Sequence, residues 1–476
     1  MATFVHFAAR ARRAARLVAA ALTAAVFAGC NLGPYYHRPA VAAPTAWRTE
    51  LEQVPQSWPS AEWWRGFQSP ELARLIDQAR SANDDLAAAV ARVQQAEAEV
   101  RINTAPLLPT LDATAGGTRQ KMFLPIGGSG DLSFNEFTAG LAASYELDFW
   151  GKNLAQRAAA IATAAASRYD RETVELTVMA DVANTYFTVL ALRDRLRIAH
   201  DNLASASQTL KGLEIDASVG TTTALDVAQQ ATVVATLSAA IPPLEQQLQQ
   251  SVDALAILVG ETPQRFALPS DTLATVSQPP LLAGLPSGLL ARRPDVAEAE
   301  AQLVAANADI RAARAAFFPT IDLTATGGYE SLALATLVRP GSEVFSLGSD
   351  ITQPIFQGGA LIGQYRLSKA RYAELLADYH KAVISAFGNV EDALVAVRES
   401  ADELNEQQLA ADKARHAYEL AQAQFHAGVI NILTVLNTET AAFTAQDAYV
   451  QVRLAHLQAL VGLFNALGGG WTNERG

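Results

Sequence analysis

The chain has one cysteine among its 476 residues, so no internal disulfide can form and no thiolate metal cluster can be built. Basic residues are outnumbered, 36 Lys and Arg against 48 Asp and Glu, for a formal charge of −12. No Lys/Arg cluster interleaved with aromatics follows residue 20. A phosphate backbone would be repelled, which excludes nucleic acid as a partner. No stretch after residue 30 reaches the roughly 20 apolar residues that a membrane-spanning helix requires, so any membrane crossing uses another structure. The seven histidines (His6, His37, His200, His380, His416, His426 and His456) show no HxxxH spacing, and Gly116-Gly117 and Gly127-Gly128 lack the lysine of a phosphate cradle. With no clustered acid, base, nucleophile or metal set, the sequence points away from an enzyme and requires no cofactor or metal.

Proline is missing where it matters most. None occurs between Pro125 and Pro242, and none after Pro354. The two stretches that end at Gly220 and Gly428 can therefore each run as one unbroken helix. From Tyr372 the apolar residues fall at Leu376, Tyr379, Val383, Phe387, Val390, Leu394 and Val397, a period close to 3.6. At about 1.5 Å per residue, Gly151 to Gly220 spans on the order of 100 Å, too long for a compact domain. Such helices must pack laterally on return helices, predicted over Thr223 to Leu258 and Ile430 to Leu467, where many alanines suit close approach. Pro242-Pro243 predicts a kink in the first return helix.

The N-terminus indicates the compartment. Arg10, Arg12, Arg13 and Arg16 precede an apolar run from Leu17 to Phe27 that ends in Ala28-Gly29, the layout of a secretory signal peptide. Phe27-Ala28-Gly29-Cys30 resembles a lipobox, with Phe27 standing where an aliphatic residue is usual. Cys30 is then the lipidated first residue of the mature chain. A cut elsewhere would leave it an incidental thiol.

Self-similarity exposes the architectural unit. Pro109-Thr110-Leu111-Asp112-Ala113-Thr114-Ala115 recurs as Pro319-Thr320-Ile321-Asp322-Leu323-Thr324-Ala325, and at the same offset Asp85-Leu86, Ala96 and Arg101 fall on Asp295-Val296, Ala306 and Arg311. Further on, Phe149-Trp150-Gly151 pairs with Phe356-Gln357-Gly358, Val219-Gly220-Thr221 with Ala427-Gly428-Val429, Leu225-Asp226-Val227 with Leu433-Thr434-Val435, and Gly260 with Gly468. The collinear series makes the chain two copies of one unit. Each copy opens on a helix, predicted from Ser69-Pro70 to about Asn103 and from Arg293-Pro294 to about Ala316, with proline in the first turn. Strict alternation follows, Phe137, Ala139, Leu141, Ala143, Tyr145, Leu147 and Phe149 against polar and small neighbours, which predicts a strand. Its partner is expected at Thr110 to Thr118, and the second copy repeats the hairpin over Thr320 to Glu330 and Phe345 to Ile355.

An exported chain whose strands carry one apolar face suits a transmembrane β-barrel, the only sheet form that lipid tolerates. Four strands cannot close one, since the smallest barrels need about eight, so subunits must share a barrel. The polar face, with Asp112, Glu146, Asp148, Asp322, Glu330 and Asp350, would line a water-filled lumen. Trp150, where the strand meets the long helix, is either a core aromatic or part of an interfacial girdle, and a position at the barrel rim favours the girdle.

Duplicated helix, hairpin, long helix and return helix, after a lipobox and a segment holding Gly33-Pro34-Tyr35 and Trp63-Trp64-Arg65-Gly66-Phe67, resemble the TolC-like outer-membrane efflux proteins. The resemblance is closest to their NodT/OprM-like lipoprotein branch, through Arg292-Arg293-Pro294-Asp295-Val296 and Ala313-Arg314-Ala315-Ala316-Phe317-Phe318-Pro319. It implies a mainly α-helical homotrimer with a 12-stranded barrel on a helical periplasmic tunnel. It also implies a lipid anchor in the outer membrane and docking to a periplasmic adaptor and an inner-membrane pump. The chain then divides into signal peptide (1–29), N-terminal extended segment (30–68), first repeat (69–260, hairpin about 108–149), equatorial linker (261–292) and second repeat (293–476, hairpin about 318–356). The resemblance also places a closed gate at the periplasmic tips, here the turns at Gly220 and Gly428, which serve equally as helix C-caps. Where relatives present carboxylates on the second return helix, this chain has Thr434 and Asn437, beside Leu433, while the first tip keeps Asp226. Ile430 stands where some relatives have a basic residue, so no ionic lock is expected. The alternatives are a channel for type I protein secretion and a periplasmic adaptor, which would need a single helical hairpin flanked by a lipoyl-like β domain.

Overall fold

The computed structural model describes residues 33–49, 58–123, 131–267, 271–280 and 286–472. The signal peptide, Cys30 with its lipobox, and the Gly127-Gly128 pair lie outside the described residues.

Helix α1 (Pro70–Ala82) begins as its sequence dictates, with the Ser69 hydroxyl accepting from the Leu72 amide and Pro70 in the first turn. The helix expected to reach Asn103 is broken, because Asn83 leaves helical geometry with ψ 129. Its Oδ1 accepts from the Leu86 amide at 3.0 Å, starting α2 (Asp84–Thr104), and its Nδ2 donates to the Leu258 carbonyl at 2.9 Å. Strands β1 (Thr110–Phe123) and β2 (Asp131–Glu146) follow, then α3 (Lys152–Ser218) and α4 (Ala224–Leu258). The second copy comprises α5 (Pro294–Ala315), β3 (Thr320–Ser331), β4 (Glu343–Thr352), α6 (Ala360–His426) and α7 (Ile432–Ala466). The long helices α3 and α6 have 67 residues each and α4 and α7 have 35 each. Helix α4 continues through Pro242 and Pro243 without interruption.

The chain forms two compact units, and each takes segments from both repeats. The first, built on Val93–Ser167 and Ala299–Tyr379, holds the sheet. Its strands lie in the order β1-β2-β3-β4, all antiparallel, so β2 and β3 join the two hairpins while β1 and β4 each keep an edge unpaired among the described residues. Gly140 and Gly328 face each other at that join. A Cβ on Gly328 would lie 2.4 Å from the Ala139 carbonyl oxygen, so this close approach requires glycine. Register places Glu146 opposite Asp322 and Asp322 opposite Asp350, and the same alternation puts Asp112 and Glu330 on that face. The other face exposes Leu111, Leu141, Leu323, Phe345, Leu347 and Ile351, with Phe345 84% accessible.

Two strand expectations need correction. Strand β1 continues past Thr118 to Phe123, and β2 stops at Glu146 instead of reaching Phe149. Asp148 therefore leaves the polar face. Its carboxylate accepts from the amides of Asn153 and Leu154 and caps the start of α3, a stronger claim on a carboxylate than a sheet position. Trp150 sits at the foot of the sheet, donating to the Pro319 carbonyl at 2.8 Å and stacked on Phe318.

The second unit holds the remaining helical segments and an aromatic core. Trp63, Trp64 and Phe67 are buried in one 3-10 turn and pack with Phe187 and Phe464, so the Trp-Trp-Arg-Gly-Phe motif is a core element. The Arg-Arg-Pro-Asp motif is structural too. Arg293 forms a two-point ion pair with Asp295 and donates to the Ala466 carbonyl at 3.0 Å, which caps the end of α7.

Candidate functional site

The connections between α3 and α4 and between α6 and α7 are built alike. At the first, Gly220 adopts φ 83 and donates to Ala217 O, while Thr221 N donates to Asp216 O at 2.9 Å. At the second, Gly428 adopts φ 71 and donates to Phe425 O, while Val429 N donates to Gln424 O at 2.9 Å. Both are glycine C-caps in which orphan carbonyls of the last turn gain donors.

The next residues differ. Thr223 and Asp226 form a reciprocal capping box, Asp226 N donating to the threonine hydroxyl while the carboxylate accepts from Thr223 Oγ1 at 2.7 Å and Thr223 N at 3.0 Å. Thr222 adds a third donor at 3.0 Å. These bonds, from Thr223 above all, hold the Asp226 carboxyl below its ordinary range. At the second tip Asn431 is the N-cap, accepting from the amide and the hydroxyl of Thr434. Leu433, Thr434 and Asn437 are exposed in the single protomer, as are Val219 and Val429 at the turns.

The structure brings the two tips together through an apolar cluster. Leu213 of α3, Tyr418 and Ala421 of α6, and Ile432, Val435, Leu436 and Ala442 of α7 form its buried part, with Val227 of α4 packed against it. Asp226 bonds within its own tip and Thr434 within its own.

Within this cluster lies a residue that the sequence reading missed. Glu439 is fully buried on α7. Tyr418 donates to its Oε1 at 2.8 Å, and Gln230 Nε2, itself fully buried, lies 3.4 Å from Oε2 while donating to Ala206 O at 2.8 Å. Burial pushes the carboxyl above the ordinary glutamate range and the Tyr418 hydroxyl up to about 12. The signal was legible: Ile432, Val435, Leu436, Glu439 and Ala442 follow helical spacing, and Glu439 is the ionisable member of that stripe.

The sequence model of the outer membrane efflux proteins matches twice, over residues 75–261 and 285–469. The chain belongs to the outer membrane efflux protein family. The double match coincides with the duplication, and it sets aside the periplasmic adaptor. Among the family's relatives, the pyoverdine export outer membrane protein OpmQ of Pseudomonas aeruginosa is 43% identical over 91% of this chain and 93% of its own. The solvent efflux pump outer membrane protein SrpC of Pseudomonas putida is 33% identical over 93% of this chain and 96% of its own. Among solved structures, the open state of the Neisseria gonorrhoeae MtrE outer membrane channel aligns with TM-score 0.84 at 30% identity, covering 93% of this chain and 98% of that one. The Campylobacter jejuni CmeC outer membrane channel aligns with TM-score 0.88 at 25% identity, covering 94% and 96%. This chain is thus an outer-membrane efflux channel protein that extends into the periplasm, and it is not an enzyme.

Proposed function

We propose that three copies of this chain close a 12-stranded barrel on a helical tunnel and that the channel passes small solutes, handed over by an inner-membrane pump and its periplasmic adaptor, to the exterior. The observation that carries this is the four-stranded sheet with an apolar exposed face and an unpaired edge on each side, which lipid tolerates only in a closed barrel. The relatives named for pyoverdine export and solvent efflux favour small organic cargo over secreted protein. Deleting the gene should sensitise cells to such compounds, and complementation should restore tolerance. Loss of a secreted protein with unchanged compound tolerance would favour type I secretion instead. Purified protein should run as a trimer in detergent and insert conducting pores in planar bilayers, whereas a stable water-soluble monomer would refute the shared barrel.

The gate belongs to the same proposal. Three-fold symmetry would bring three copies each of Leu433 and Asn437 to the bore, one helical turn apart, so closure would come from packing and dewetting more than from charge. The exposure of Leu433 and Asn437 in the single protomer supports this, as does the absorption of Asp226 by its capping box. Cys30 would add a lipid anchor. Cys30→Ser should abolish palmitate incorporation while trimers still assemble, because the barrel itself provides insertion.

A further inference from the structure

Behind the tips, Glu439 draws groups from helices α3, α4, α6 and α7 into one network with a buried centre. Tyr418 and Gln422 come from α6, Gln230 from α4, and Ser205 and the Ala206 carbonyl from α3. Gln422 Nε2 donates to the Tyr418 hydroxyl at 2.7 Å, Ser205 Oγ lies 3.3 Å from it, and the hydroxyl donates onward to Glu439. Gln230 ties the same carboxyl to α3 through Ala206 O. Gln230 Oε1 is buried and has no hydrogen-bond partner. Leu433 lies in the first turn of α7 and Asn437 in the second, both within about two helical turns of this anchor.

We propose that Glu439 is the positioning residue of the gate: as a neutral acid it latches α7 to the other three helices in the closed tunnel, and releasing its proton lets the tip open. This rests on the gate at Leu433 proposed above. A neutral carboxyl suits a fully buried site among Leu436, Val435 and Ala442, and its proton can be donated from Oε1 to the Tyr418 hydroxyl, which then donates to Ser205 Oγ while Gln230 stays bonded to Ala206 O. The ionised form, held only by Tyr418 and Gln230, lacks a cation. Among the described residues no charged side chain is bonded to it: from α6 the facing titratable group is Tyr418, α4 offers Gln230, and α3 offers Ser205 and a backbone carbonyl. Asp412, Arg415 and Glu419 line a groove that Tyr418 and Ala442 also border. Because burial raises the carboxyl above its free-chain value, the latch is fully set at and below the ordinary glutamate range. It weakens as pH climbs through the raised value.

Planar-bilayer recordings of the full-length trimer from about pH 5 to about pH 8 test this. Open probability in the wild type should rise with pH, by at most about tenfold per pH unit for each proton released. Glu439→Gln, which keeps an acceptor for Gln230 Nε2 and supplies a donor to the Tyr418 hydroxyl, should stay low and flat. Tyr418→Phe removes a bond to the ionised form, so the midpoint should move to higher pH, a displacement that loss of packing alone would not give. A wild-type profile that is flat, or that survives Glu439→Gln, overturns the latch. Infrared difference spectra of the same samples should show a protonated-carboxyl band that fades with rising pH and is missing in Glu439→Gln, and lack of that band in the wild type also overturns it. Failure of the gate itself reads differently: Leu433→Ala would leave conductance unchanged at every pH while the carboxyl band still titrated.

Discussion

The two tips descend from one duplicated turn and share their glycine C-caps, hydrogen bond for hydrogen bond, yet they start their return helices with different chemistry. The first spends a carboxylate on its capping box; the second caps with the Asn431 amide and carries no carboxylate at the matching position, while Leu225 and Leu433 are both exposed. Duplication kept the backbone solution and let side chains diverge. A residue is free to gate a channel when the cap does not already claim it. Asp226, the one carboxylate at these aligned positions, is already claimed by three donors.

The sharpest way to break this comparison is to remove the apolar side chain proposed to close the second tip. Leu433→Ala should raise single-channel conductance several-fold and sensitise cells to large antibiotics, and Leu225→Ala at the matching first-tip position should do much less. Equal effects would erase the distinction between the tips. A smaller effect is expected from the caps. Thr223→Ala and Asn431→Ala should each cost about 1 kcal/mol of local helix stability, Thr223 more because its box is reciprocal, as hydrogen exchange of the first turns of α4 and α7 would report. Exchange equal to wild type at both sites would show that tertiary packing alone holds the helix starts.

Two charge substitutions refine the contrast further. Asp226 is held below its usual range, so its contribution to the first tip is present above the free-chain value and lost as pH falls through the lowered one. Asp226→Asn should make exchange at the start of α4 insensitive to pH in that acidic window and lower cation selectivity slightly, as reversal potentials would record. Asn437→Asp should do the opposite at the second tip, adding cation binding that appears as block by divalent ions. An unaltered reversal potential in both variants would place the selectivity of the channel elsewhere.

Much of this was legible in the sequence because long-period features dominate it. Missing prolines and terminal glycines marked α3 and α6, alternation marked β2, and the matched segments revealed the repeat before any coordinates. The break at Asn83 was less visible, since helix formers surround it, although Asn83-Asp84-Asp85 carries the signature of an N-cap followed by an acidic first turn. Asp148 fitted the alternation by position yet belongs to the helix, because capping competes with strand propagation at such a junction. At the candidate site the turn glycines and the Thr223-Asp226 box follow local rules. Periodicity places Glu439 on the buried stripe of α7, but its pairing with Gln230, more than two hundred residues away in sequence, is beyond what periodicity within one helix can reveal.

The unpaired outer edges of β1 and β4 bear on how the protein is made. A lone subunit in transit would offer two adhesive borders and a greasy sheet surface to any passing polypeptide, so its safest course is to be escorted until three subunits meet. Biogenesis, more than conduction, is then the stage most exposed to error. A lesion that slows subunit encounter should appear as degraded or clumped chains in the periplasm, with the few finished channels working normally.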